Sequence, residues 1–341
     1  MKHKKEKIKI GVSIGDLNGI GIEVILKTFK DNRIMDFCTP IIFGSNKIIS
    51  QHKKILNIQE SNFNIINSIK DVNYKKPNLL NISKEEIELT IGSASKKSGK
   101  FSFDSITAAC ESLKNKEIDV LVTAPINKSS IQKTIKNFIG HTEFLEGNFP
   151  GDSLMIMISE FMKIAFVTGH IPLSKVQNNI TTQLIIKKAT QLNNSLVQDF
   201  GCSHPKIAIL GINPHAGEET LLGNEEKDII LPAIKELKNN KIMAFGPYPT
   251  DSFFMPKNLT AFDGILAMYH DQGLTPFKTL SFQDGVNYTS GLNIIRTSPV
   301  HGTAYEIAGQ GEANEQSFRS SIFLACDIFK QRMRYKELNS N

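Results

Sequence analysis

The stretch Ile207-Ala-Ile-Leu-Gly-Ile212 is an apolar run that ends in Asn213-Pro214-His215. Its apolar residues do not alternate with polar ones, which is typical of a strand buried on both faces of a sheet. Other runs of this kind are short, rich in Ile and Val, and end in glycine or polar turns: 8–14, 39–43, 120–123, 164–168 and 265–269. Helical segments follow these runs, so the sequence predicts an α/β fold with crossover connections.

The helical candidates are long enough to cover a sheet, and they occupy residues 21–30, 105–115, 184–199, 225–239 and 315–336. A chain of 341 residues, 40% of them hydrophobic, exceeds what one comfortable core needs, so we expect two lobes. Residues 1–130 with 290–341 are assigned to the first lobe and residues 131–289 to the second. A cleft between the lobes is the expected place for a site.

Composition and charge exclude several classes of protein. The net charge is +6, and the basic residues 1–9 are interpreted as a solvated end, because no other long basic block supports nucleic-acid binding. No run approaches the roughly 20 apolar residues that span a bilayer, and the basic start lacks the apolar core of a signal peptide. We therefore expect a cytoplasmic protein without a membrane or nucleic-acid partner. The four cysteines form no CxxC pair, so we expect buried free thiols.

Three histidines follow predicted strands directly: His170, His215 and His270. The carboxyl ends of the strands are the edge at which α/β sheets build their sites. Three neutral imidazoles with an open fourth position make a catalytic divalent-metal site, whereas a single histidine in a turn is usually a polar surface residue. The histidines could come from one chain or from two chains at a dimer interface, and the residues alone leave this open.

Two further segments carry candidate site residues. Asp251 follows a turn-rich segment and could be a carboxylate base or a partner of a metal ligand, although an Asx turn or helix cap explains it equally well. The triplet His141-Thr142-Glu143 opens a predicted helix, in which Thr142 is the expected N-cap. His141 is a candidate contact for an anion or carboxylate.

Lys278, Asn287 and Arg296 lie downstream of His270 in a segment with few other charges. Arginine offers a bidentate fork and lysine a point charge or a proton, which suits an acidic substrate, although each residue alone is more often a surface group. The glycine-rich segment 15–21 follows a strand and opens a helix, but it matches neither GxGxxG nor a P-loop. We expect it to shape the floor of the site.

Ordered blocks from about residue 8 to residue 320 resemble 4-hydroxythreonine-4-phosphate dehydrogenases of pyridoxal phosphate biosynthesis. The blocks are GDLNGIG (15–21), TAPINK (123–128), GHTE (140–143), TGH (168–170), NPHAGE (213–218), YHDQG (269–273), VN (286–287) and HGT (301–303). Each block alone is weak, but their order along nearly the whole chain is specific. The opening loop departs from the family pattern, because Leu17, Asn18 and Ile22 stand where prolines and an alanine are common.

The resemblance implies a homodimer with a two-lobed isocitrate/isopropylmalate dehydrogenase-like fold and a site shared between subunits. It implies that His170 and His215 of one chain and His270 of the other bind a divalent metal, with Asp251 beside it. It assigns substrate contacts to His141, Thr142, Lys278, Asn287 and Arg296. The segment from Pro299 to Asn314 is similar to the adenosine-binding loop of the wider superfamily, which assigns NAD or NADP binding to His301, Gly302, Thr303, Ala304 and Asn314.

The implied reaction oxidises the C3 hydroxyl of a small phosphorylated substrate, 4-phosphooxy-L-threonine, and then removes carbon dioxide to leave 3-amino-2-oxopropyl phosphate. Asp251 or Lys278 is the expected proton carrier. Three imidazoles favour zinc, while magnesium, manganese or cobalt could occupy the same ligands. Two alternatives stay open: a related dehydrogenase of 4-phospho-erythronate or 4-phospho-threonate, and a metal-dependent phosphatase with metal-bound water as its nucleophile.

Overall fold

The protein is described by a computed structural model that covers residues 7–59 and 63–340. The chain forms two compact units, one of Met1–Gly151 with Leu292–Phe329 and one of Asp152–Gly291 with Lys330–Asn341. Leu145 and Phe149 pack in a core cluster with Ile106 and Leu121, so the segment after residue 130 lies with the first unit up to Gly151. In the described ranges, no helix is both long and apolar enough to cross a membrane.

The strands lie in chain order as β1 (Ile8–Ser13), β2 (Cys38–Gly44), β3 (Asn64–Ile66), β4 (Asn78–Asn81), β5 (Val120–Thr123), β6 (Gly151–Ile158), β7 (Lys163–Phe166), β8 (Lys206–Leu210), β9 (Met243–Tyr248), β10 (Gly264–Ala267), β11 (Val286–Leu292) and β12 (Arg296–Pro299). The helices are α1 (Gly21–Thr28), α2 (Asn46–Ile55), α3 (Lys96–Lys114), α4 (Lys128–Gln132), α5 (His141–Glu146), α6 (Leu173–Asn179), α7 (Thr182–Gln198), α8 (Leu231–Asn239), α9 (Thr250–Phe253), α10 (Pro256–Ala261), α11 (His270–Ser281) and α12 (Gln316–Asn339).

In the first unit the strand order is β3-β4-β2-β1-β5-β12, and the paired strands are parallel. In the second unit the order is β11-β6-β7-β10-β8-β9, in which β7, β10, β8 and β9 pair in parallel and β6 runs antiparallel to β7. The α/β prediction is therefore confirmed. All six apolar runs form strands. They could be predicted because an unbroken apolar run, which is buried on both faces of a sheet, is a local pattern of the sequence.

Helix α3 begins earlier than the sequence predicts, at Lys96 instead of residue 105. Ser95 caps it by accepting a hydrogen bond from the Ser98 N–H over 3.1 Å. The first half of the helix buries small and polar residues, and Ser102 donates to the Gly15 carbonyl over 2.7 Å. A search for apolar periodicity misses such a face, because its contacts are hydrogen bonds and close backbone approaches rather than apolar burial.

Two other predictions need correction. The expected helix 225–239 is divided into a π-helical turn, Glu226–Ile230, and α8, which begins at Leu231. The four cysteines form no disulfide, as predicted, but Cys202 is only half-buried while the other three are buried.

Candidate active site

The first unit contains a buried cation at the first residue of a strand. Arg296 lies on β12, whose register places it opposite Leu121 on β5, and Thr123 ends β5. The Arg296 guanidinium donates to the Thr123 hydroxyl from Nη2 over 2.7 Å and from Nε over 3.0 Å. It also donates from Nη2 to Nδ1 of His141, over 3.0 Å. The guanidinium is thus fixed in one orientation by neutral partners.

This environment determines the charge and the tautomer of His141. Burial, followed by the positive charges of Arg296 and Lys128, holds the pKa of His141 well below its usual range, so the ring is neutral. Burial also lowers the pKa of Arg296 to about 10, which leaves it charged at neutral pH. Because a guanidinium can only donate, Nδ1 of His141 must accept, and the ring proton lies on Nε2. That nitrogen is buried and has no hydrogen-bond partner.

Thr142 is not the N-cap that the sequence predicts. Helix α5 begins at His141 with Gly140 as its capping residue, and Thr142 is the second residue of the helix. His141 is therefore the first residue of the helix, and it lies next to Arg296. With Thr142 as the N-cap the helix would begin two residues later, at Glu143.

The predicted cofactor segment packs against the glycine-rich loop of the same unit. The Ile20 N–H donates to the Thr303 carbonyl over 3.0 Å. A Cβ at Gly19 would lie 2.7 Å from that carbonyl oxygen, so the close approach requires glycine. Ala304 follows in a left-handed conformation with φ 43°. The glycine-rich segment 15–21, which we expected to shape the floor of the site, therefore supports residues 303–304 of the predicted cofactor segment.

Helix α1 holds the far end of the same segment through two charged residues. Glu23 is 1% exposed and accepts the Ala313 N–H over 2.8 Å. Lys27 forms a 2.8 Å ion pair with Glu23 and donates to the carbonyls of Gly311 and Ala313, each over 2.7 Å. The segment before Asn314 is thus fixed by hydrogen bonds from one helix turn.

In the second unit His170 lies beside His270, and His215 lies beside Asp251. The rings of His170 and His270 lie 5.1 Å apart between centroids. Nδ1 of His270 is 2.8 Å from a carboxylate oxygen of Asp271, so Nε2 is the ring nitrogen that this contact leaves open. His215 lies with Nδ1 3.9 Å from Asp251 Oδ2, and both of these side chains are largely exposed.

His215 opens a left-handed backbone segment that runs from His215 to Glu219, with φ values between 41° and 85°. Such a conformation costs on the order of 1 kcal/mol or more for each non-glycine residue, so the surroundings must impose it. The buried Glu226 carboxylate accepts the N–H groups of Ile212 and Asn213, each over 2.8 Å. An internal carboxylate therefore anchors the loop that presents His215.

Over residues 7–59 and 63–340, no group of three or more His, Cys, Asp or Glu side chains has a metal-holding arrangement. The three-histidine site therefore remains a prediction. The donor set nevertheless fits a divalent metal, because imidazole nitrogens with a nearby carboxylate are the ligands that zinc and its neighbours prefer.

The remaining predicted residues lie on two elements of the second unit. Lys278 is half-buried on α11, the helix that begins with His270. Asn287 is on β11, and its buried Oδ1 has no hydrogen-bond partner. Sequence reasoning assigned no role to Glu23, Lys27, Glu226 or Gln272. Only Gln272 carried a signal, as the fourth residue of the YHDQG block.

Comparison with known proteins identifies relatives along the full chain. A 4-hydroxythreonine-4-phosphate dehydrogenase of Bacteroides thetaiotaomicron is 47% identical over 341 residues, covering 99% of this chain and 93% of the relative. The solved structure of the enzyme of that name from Klebsiella pneumoniae has a TM-score of 0.81 at 30% identity, covering 96% of this chain and 99% of the other. A relative from Oceanobacillus iheyensis, provisionally named D-threonate 4-phosphate dehydrogenase, is 35% identical over 94% of this chain and 97% of its own.

These relatives are dehydrogenases by name, so the fold and the comparisons define an oxidoreductase. The family model for the pyridoxal phosphate biosynthetic protein PdxA matches residues 36–325. The chain belongs to the PdxA family of pyridoxal phosphate biosynthesis. This confirms the family resemblance of the sequence blocks, and the Klebsiella structure confirms the fold that the resemblance implies.

Proposed function

We propose that this chain catalyses the NAD-dependent oxidation of 4-phosphooxy-L-threonine at C3 and its decarboxylation to 3-amino-2-oxopropyl phosphate. The observation that carries the proposal is the pair of Arg296 and His141, a fixed and buried cation beside a neutral imidazole whose buried Nε2 donor has no hydrogen-bond partner. Family membership supplies the reaction class.

Arg296 binds an anionic end of the substrate, because its orientation is set before binding by Thr123 and His141. Nε2 of His141 donates to a substrate oxygen, since it remains protonated in the neutral ring. Thr142, Lys278 and Asn287 complete the substrate contacts. The orphaned Oδ1 of Asn287 accepts from a donor such as the amino group of the substrate.

His170, His215 and His270 hold a divalent ion, with Asp251 beside it, and ligands of two subunits complete the site. Zinc suits this donor set, and magnesium, manganese and cobalt are the other candidates. When bound, such an ion supplies Lewis-acid stabilisation of negative charge on the substrate oxygen. The bond between His270 and Asp271 keeps Nε2 of His270 turned toward a ligand.

Residues His301, Gly302, Thr303, Ala304 and Asn314 bind NAD or NADP. The support for this assignment is the rigidity of the segment, which the glycine-rich loop holds at Thr303 and helix α1 holds at Ala313. A segment that is ordered before binding loses less conformational entropy when the dinucleotide arrives.

The reaction requires one base and one acid. Carbon C3 of the substrate loses a hydride to the nicotinamide ring while its hydroxyl loses a proton. Carbon dioxide then leaves from C1, and the carbon that carried it takes up a proton. Asp251 or Lys278 carries these protons, and loss of turnover without loss of substrate binding in Lys278→Ala would assign the role to Lys278.

A homodimer in the cytoplasm is part of the proposal. Leu173 and Leu221, which lie close in sequence to His170 and His215, are 75% and 77% exposed. Large apolar side chains near a proposed site fit a surface that a second copy covers.

The proposal is tested with purified protein, NAD, a divalent metal salt and 4-phosphooxy-L-threonine. We expect NADH absorbance and carbon dioxide in equal amounts, and we expect chelation to abolish both. Two competing substrates are assayed in parallel. D-threonate 4-phosphate is included because the relative from Oceanobacillus iheyensis is named for it, and 4-phospho-erythronate is included because the sequence left it open. Faster turnover of either compound would replace the proposed substrate, and release of inorganic phosphate without NADH would contradict the dehydrogenase assignment.

A further inference from the structure

Gln272 is a buried amide in the first turn of α11, two residues after His270, and it is 7% exposed. Its carboxamide makes three hydrogen bonds. Oε1 accepts the Met268 N–H over 2.6 Å. Nε2 donates to the Gly211 carbonyl over 2.5 Å and to the Thr250 hydroxyl over 2.8 Å. One side chain thus joins three separate loops of the second unit.

Each of these loops leads to a residue of the proposed metal centre. Met268 precedes His270 by two residues, Gly211 precedes His215 by four, and Thr250 immediately precedes Asp251. A fourth loop, which carries His170, is also held at Met268. Thr168 lies two residues before His170, and its hydroxyl donates to the Met268 carbonyl over 2.9 Å. All four segments that carry the proposed ligands therefore meet at the peptide groups around Gln272.

We propose that Gln272 is a positioning residue for the metal ligands. It sets the spacing of the His170, His215 and Asp251 loops, which one subunit contributes to a metal centre, and it holds the His270 loop, which completes the centre of the other subunit, so it determines the affinity for the metal ion. This inference rests on the proposed function of the three histidines. A primary amide is suited to the task because it offers one acceptor and two donors, and all three are used here. Glutamate has nearly the same shape but cannot donate to the Gly211 carbonyl when ionised. Hydrogen bonds that orient metal ligands typically change metal affinity about 10–100-fold when removed.

The test is titration of the metal-free protein with zinc by calorimetry, together with its thermal unfolding midpoint. We expect Gln272→Glu to weaken zinc binding about 10–100-fold. Thr250→Val removes one of the three bonds and should weaken zinc binding by a smaller factor. Ser195→Ala is the matched control. It removes a buried hydrogen bond from the Ser195 hydroxyl on α7 to Asp199, which belongs to none of the four loops. It should lower the midpoint and leave zinc affinity unchanged.

If Gln272→Glu does not fold, Thr250→Val decides the question. Variants that lower the unfolding midpoint but bind zinc as tightly as the wild type would show that Gln272 serves stability alone, which overturns the inference while the proposed function stands. If the wild-type protein itself does not bind zinc, manganese, cobalt or magnesium, both the metal centre and this inference are wrong.

Discussion

Nδ1 of His141 accepts a hydrogen bond from the Arg296 guanidinium over 3.0 Å in a buried part of the first unit. The partners therefore have fixed roles: a cation that can only donate, and a neutral imidazole whose proton is directed to Nε2. Because burial and two nearby cations depress the pKa of His141, this donor keeps its protonation state across neutral pH. An anion that binds here meets both a positive charge and an oriented N–H group.

Arg296→Lys should lower kcat/KM roughly 10–100-fold, mainly by raising KM for the phosphorylated substrate. Lysine keeps the charge but loses the planar fork that contacts Thr123 and His141 together. Steady-state kinetics with both substrates measure the effect. Arg33→Lys, which changes an exposed pair with Asp31, is the matched control and should leave all parameters unchanged. An unchanged KM in Arg296→Lys would remove Arg296 from the substrate site.

Glu23→Gln should raise KM for NAD about tenfold and leave KM for the phosphorylated substrate unchanged. The variant weakens the ion pair with Lys27 and the hydrogen bond from the Ala313 N–H, which hold the cofactor segment. NAD titration by fluorescence gives the same quantity at equilibrium. Glu86→Gln breaks an exposed ion pair with Lys47 and serves as the control. Equal losses in affinity for both substrates would mean that Glu23 stabilises the unit as a whole.

His52 should make stability depend on pH. Burial lowers its pKa to about 4, and the opposing hydrogen bond to the Leu17 carbonyl does not compensate. Between pH 6.5 and about 4 the unfolded chain binds a proton that the folded chain does not, so stability falls as the pH falls through this window. The full loss is about 3 kcal/mol. Chemical denaturation at pH 7 and pH 4.5 measures it.

His52→Gln keeps a donor for the Leu17 carbonyl and removes the titrating group. Its unfolding free energy should therefore depend less steeply on pH than that of the wild type. His204→Gln replaces an exposed histidine and should retain the wild-type slope. Identical slopes for His52→Gln and the wild type would show that other groups cause the acid sensitivity.

Leu221→Asp should convert the proposed homodimer to monomers, because a carboxylate on a covered apolar surface is desolvated without a partner. Analytical ultracentrifugation measures the change, and activity should fall with the dimer if the subunits share a site. Leu338→Asp is a suitable control, since Leu338 is 70% exposed and lies near the end of α12. A wild-type protein that sediments as a monomer would contradict the proposal directly.

The buried strands could be predicted from the sequence because an apolar run such as 207–212 is a local pattern. The start of α3 could not, since Phe101 is the one apolar residue on a buried face that otherwise consists of Ser98, Gly99 and Ser102. The antiparallel strand β6 was also missed, because its first two residues are exposed and its apolar signal is weak. The left-handed segment that begins at His215 contradicts local preference, and the Glu226 carboxylate fixes the two residues before Pro214 by hydrogen bonds that no local pattern predicts.

The sequence by itself determined the α/β class, the family, and the candidate residues at the ends of the strands, because these follow from local patterns and ordered motifs. Only the tertiary structure decided which groups meet. The bond between Arg296 and His141 joins residues 155 positions apart, and that between Gln272 and Gly211 joins residues 61 apart. Such contacts leave no local pattern, because the partner of a buried polar group is chosen by the packing of the whole unit.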